Sequence, residues 1–189
     1  MLPGGTIHQK SQLIEISEHI GSIKVPFDTN GYVFYQGRKG EGGFPFQAFA
    51  KLVAVKGNEK IILPKTTSLK GYVSIKSLEG ALAFVRLFTS VDTDYLFEDS
   101  PGIEATSKAD ASGGKIGYGQ VPQNEWERLK LFEPKIRAVD GSFLVERCLL
   151  NYNHEIFHSE EKVSTEGEYS ISKKETLQKN SKIQLPYYE

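Results

Sequence analysis

Residues 151–161 read NYNHEIFHSEE, and within them His154, Glu155 and His158 spell H-E-x-x-H. That pattern serves zinc metalloproteases because an α-helix sets i and i+4 side chains about 5–6 Å apart at Cβ. Both imidazoles then reach one ion, and the glutamate activates its water. A strand rises ~3.3 Å per residue, so the same two histidines would stand about 13 Å apart on parallel paths. Secondary structure therefore decides whether the pentapeptide is chemistry or decoration. Asn151-Tyr152-Asn153 is turn material, and EIFHSEEKVS after it has strand composition. No Gly-x-x-His follows His158 to supply a third ligand of the metzincin kind. The expectation is a turn leading into a strand, with no metal held at residues 154–158. The alternative is a zinc-dependent hydrolase with His154 and His158 as ligands and Glu155 as general base.

Other chemistries are weaker. The glycines of GRKGEGG (Gly37, Gly40, Gly42, Gly43) lead into Phe44-Pro45-Phe46 with no G-x-x-x-x-G-K-[ST], so a hairpin loop is expected rather than a phosphate cradle. Gly117-Tyr118-Gly119 precedes a helix, yet Pro122 stands where a dinucleotide fingerprint needs its third glycine. Asn30-Gly31-Tyr32 and Lys70-Gly71-Tyr72 open like an RNA-recognition signature, but Val33 and Val73 occupy its small fourth position. Cys148 is the sole cysteine, set mid-strand between Arg147 and Leu149, and reads as a buried, inert thiol.

These residues need elements to position them. From Ile23 to Lys76, β-branched and aromatic clusters alternate with turn residues, which predicts several short strands. In FQAFAKLVAV the alternation breaks at Phe49, Val53 and Val55, as in a strand bulged or covered on both faces. Ser77 to Thr89 predicts the main helix, with Ser77 as N-cap and Glu79 in the first turn. Residues 99–120 are rich in Ser, Gly, Ala and Asp, and predict either a long surface excursion around one short strand or a partly disordered segment. They also form the most plausible subdomain boundary in a chain expected to be a single domain over 1–189. A short helix near 122–131 follows, opened by Pro122 and turning Trp126 and Leu129 inward. Asp140-Gly141 between alternating apolar residues is a hairpin signal, and three long strands with short turns then complete a meander. The fold class is α+β, predominantly antiparallel.

Composition narrows function by exclusion. The 189 residues carry 23 basic and 24 acidic side chains, a net charge of −1 with no overall basic field for nucleic acid. MLPGGTIHQKSQ has neither the charged nor the apolar region of a secretory signal, and no apolar run is long enough for a membrane helix. The expectation is a soluble cytoplasmic domain without cofactor, non-enzymatic, that binds a protein partner or a small ligand. Sheet edges of the meander offer strand-addition surfaces. An apolar pocket, if one exists, is expected to be lined by Phe84, Phe88, Tyr118 and Trp126.

Overall fold

The computed structural model describes residues 21–23, 25–39, 49–62, 69–87, 102–107, 113–116, 119–151 and 153–183. Among them, β1 (Gly21–Ile23), β2 (Val33–Lys39), β3 (Phe49–Lys56) and β4 (Glu59–Ile62) form one antiparallel sheet in sequence order. Helix α1 (Leu78–Arg86) follows. A second sheet collects β5 (Ile103–Ser107), β6 (Gly114–Ile116), β7 (Gly119–Val121), β9 (Ser142–Leu150), β10 (Ile156–Ser164) and β11 (Tyr169–Gln178). Its order is β11-β10-β9-β5-β6-β7, with every pairing antiparallel. The short helix α2 (Gln123–Arg128) and β8 (Lys135–Val139) lie between β7 and β9 in sequence. The chain is thus α+β, mostly antiparallel sheet. No helix among the described residues is long and apolar enough to cross a membrane.

Local chemistry explains most of these boundaries. Ser77 caps α1 by accepting a hydrogen bond from the Gly80 amide at 3.0 Å, and Arg86 sits in the last turn, where the helix dipole favours a cation. The predicted helix end at Thr89 lies outside the described residues. Helix α2 is shorter than the 122–131 expected from sequence. Lys130 takes a left-handed φ of 53°, and Leu131 donates back to the Trp126 carbonyl at 3.0 Å, which ends the coil. Asp140 and Gly141, at φ of 43° and 72°, make the two-residue turn that pairs Val139 with Ser142. Val53 and Ala54, consecutive on β3, are both buried, so that strand is covered on both faces.

The segment expected to hold one short strand holds three, β5, β6 and β7. Its small residues are a packing requirement here. A Cβ on Gly114 would overlap the ring of Trp126, which lies against β6. A glycine-rich stretch can therefore be a strand wherever an aromatic ring needs the space.

Strand β9 organises the interior because its two faces enter different cores. Phe143 and Val145 join α1 residues Phe84 and Val85 and first-sheet residues Phe34 and Ala54. Cys148 and Leu150, on the other face, join Ile103, Ile116, Leu129 and Leu131. On one side β9 pairs along its length with β10. On the other it pairs first with β8 and then, at Leu149 and Leu150, with β5.

The loop before α1 is sewn onto the β10–β11 turn. Leu69 donates to the Gly167 carbonyl at 2.7 Å, and Ile75 donates to that of Thr165 at 2.8 Å. Gly167 has φ of +85°, and a Cβ there would run into Val73. Both conditions demand glycine. Gly167→Ala is expected to cost about 1–3 kcal/mol, read as a lower urea midpoint at unchanged slope. An unchanged midpoint would show that the turn is not packed against Val73.

Candidate functional site

The H-E-x-x-H residues do not lie on a helix. Asn151 shapes the turn between β9 and β10: its Oδ1 accepts from the amides of Asn153 and Glu155, each at 3.0 Å. His154 adopts a left-handed φ of 56°, and Ser181 donates to its carbonyl at 2.7 Å. The Glu155 carboxylate accepts from Asn151 Nδ2 at 3.1 Å, so the residue suited to be a general base braces the turn. His158 lies on β10, opposite Cys148 on one neighbour and Glu175 on the other. Its Nε2 is 3.8 Å from Glu146 Oε2, and the Phe132 ring meets it edge-on at 5.1 Å. Among the described residues no three His, Cys, Asp or Glu side chains are placed to hold a metal ion.

The four aromatic residues expected to line a pocket are distributed differently. Phe84 is fully buried in the first core, edge-on to Phe27 at 5.9 Å. Trp126 packs against the second core. The two are not brought together, and Phe88 and Tyr118 lie outside the described residues. Cys148 is buried within β9, and burial pushes its thiol up to about 11, against a smaller downward pull from the Phe132 backbone. A thiol with that pKa carries little thiolate at neutral pH.

The most concentrated chemistry lies where the sequence was read as ordinary strand. Arg147 is fully buried on the β9 face shared by Phe143 and Val145. Its guanidinium grips Glu161 of β10 through two parallel bonds, Nε to Oε2 and Nη2 to Oε1, both 2.8 Å. Its Nη1 reaches Glu104 Oε2 of β5 at 3.1 Å. Glu104 in turn accepts from Arg86 Nη2 of α1 at 2.7 Å. Ser159 and Tyr169 hydroxyls complete Glu161, donating to Oε1 at 3.1 and 3.2 Å. Two guanidinium and two carboxylate groups therefore form a continuous circuit, open at its two ends, across three strands and a helix, and it meets solvent through Arg86, whose side chain is 28% exposed.

Burial alone would lower the Arg147 pKa, but Glu161 and then Glu104 hold it above the ordinary arginine value. Burial, and after it Glu161, push the Tyr169 phenol well above its usual range. Every carboxylate oxygen in the circuit already accepts a hydrogen bond. The arrangement therefore orders the core and leaves little for substrate. One cue was legible: Arg147 and Glu161 fall on the alternation that puts Val145 and Val163 inside. The acidic partner from β5, 43 residues away, carried no local signal.

A second feature is the outer strand. Among the described residues β11 pairs with β10 alone and ends the six-strand order of the second sheet, which β8 joins through β9. Two register shifts interrupt that pairing, leaving Ser172 and Leu177 as extra residues on β11. Ser172 Oγ donates to the Glu160 carbonyl at 2.9 Å and so fixes the first bulge. Side chains from Ser170 to Thr176 are exposed, including Ile171 at 42%. Lys174 lies over the Phe157 ring at 4.2 Å, whereas Lys173 stands opposite Glu160 on the other face.

Removing one partner from the buried circuit strands the other's charge, which costs about 3–5 kcal/mol in comparable sites. Arg147→Met should show that loss in urea unfolding, and adding Glu161→Leu should recover much of it. A loss below about 1 kcal/mol for the single variant would mean that the pair is hydrated.

Comparison with protein-family models, curated protein sequences and solved structures finds no match to this chain.

Proposed function

We propose that this chain is a non-enzymatic, soluble cytoplasmic domain that takes up an extended segment of a protein partner along the outer edge of β11. The observation that carries this reading is a ten-residue strand that pairs with β10 alone among the described residues and whose side chains are exposed from Ser170 to Thr176. An unpaired edge presents a row of main-chain donors and acceptors, and strand addition converts them into affinity while alternate side chains set specificity. The neighbouring strand β10 is anchored to β9 by the Arg147–Glu161 pair, so the receiving edge is held in one conformation before a partner arrives. Several groups that catalysis would need are engaged otherwise. Glu155 braces a turn, Cys148 is a buried thiol, and the buried carboxylates are bound by arginine. A free thiol in the core also suits a reducing compartment.

Titrating the isotope-labelled chain with a ten-residue neutral peptide of alternating valine and threonine tests this reading by NMR. Amides of residues 169–178 should shift saturably and gain protection from exchange. Proline at β11 positions whose N–H points outward should leave the fold intact and abolish the shifts. Shifts scattered over other elements, or none at millimolar peptide, would overturn the reading.

A further inference from the structure

The edge strand also carries a charge pattern, and it points to the chemistry of the partner. Strand β11 holds Lys173, Lys174 and Glu175, and Lys179 and Lys182 lie just beyond its end at Gln178, in a chain whose net charge is −1. All five side chains are exposed. Glu175 is 3.4 Å from Lys173, an exposed pair that neutralises one lysine at most.

Resting on the strand-addition reading, we infer that the segment taken up by β11 is acidic, with two consecutive acidic residues opposite Lys173 and Lys174. Consecutive strand residues point to opposite faces, and these two do so here: Lys174 lies over Phe157 on one face, and Lys173 faces Glu160 on the other. A strand added beside them sets its own side chains about 4.5–5.5 Å away at Cβ on both faces. An acidic pair at those positions meets one lysine on each face. A basic pair meets like charge twice.

Antiparallel self-pairing of β11 centred between Lys173 and Lys174 sets lysine against lysine, so a second copy is disfavoured in that register. Lysines and bulges are the usual means by which a free edge avoids indiscriminate pairing. Here they leave one class of strand that is attracted. A single-stranded nucleic acid is the other polyanion to weigh. Such ligands are held by aromatic platforms as well as by charge. Tyr169 is the single aromatic residue of β11, and it is buried against Glu161.

Three ten-residue peptides of alternating valine and threonine, differing only in a central Glu-Glu, Gln-Gln or Lys-Lys pair, decide the matter by fluorescence anisotropy. At physiological salt the order should be Glu-Glu, then Gln-Gln, then Lys-Lys, with about three- to tenfold between the first two. In the doubly charge-reversed chain, Lys173→Glu with Lys174→Glu, the order should invert while the circular dichroism spectrum stays the same. Equal binding of all three peptides would overturn the acidic preference and leave the edge reading standing. Binding of none would overturn both. A ten-residue oligothymidylate that binds more tightly than the Glu-Glu peptide would show a polyanion surface instead of a peptide-receiving edge.

Discussion

A guanidinium buried among apolar side chains is tolerated only if its donors are met, and Arg147 imposes that condition on four elements at once. Glu161 must come from β10, Glu104 from β5, and Arg86 from α1 to balance Glu104. Such a group is weak evidence for stability, since an apolar replacement of the whole circuit would do as well or better. Its force lies in register. A one-residue slip of β10 along β9 would turn Glu161 to the opposite face and leave Arg147 buried without its carboxylate. Apolar residues alone would forgive that slip more readily than a buried charge does.

The pairing of β9 with β10 in turn determines what β11 can be. Tyr169, at the start of β11, reaches the same Glu161 oxygen that Arg147 holds. From Ser170 to Thr176 the side chains of the strand are exposed, and it bulges at Ser172. One end of β11 is therefore tied to the buried circuit, and the rest forms a presented edge. That division, a fixed root and an open length, is what a strand-receiving surface needs: order before binding and free main-chain groups during it.

Legibility in the sequence followed the range of the interactions. Ser77 and Asp140-Gly141 act over three or four residues, so the start of α1 and the β8–β9 hairpin could be read directly. Asn151 and its neighbours likewise announced the turn that makes the H-E-x-x-H residues extended from Ile156 onward. What depended on distant chain was hidden. Strands β5 to β7 looked like loop because the ring that fills the space above Gly114 belongs to Trp126, on a helix that follows them. Phe84 and Trp126 have equal apolar character, and nothing local showed that they enter separate cores. Arg147 and Glu161 obeyed the buried alternation in plain view, but a charged residue on an inward position is legible only with its partner in hand.

The hydrogen exchange of the Arg147 Nε–H, identified by its loss in Arg147→Lys, tests this picture most directly. A separate guanidinium resonance that exchanges slowly at neutral pH is expected, because Nε is locked onto Glu161 away from water. An Arg147 signal exchanging as fast as those of surface arginines would contradict it.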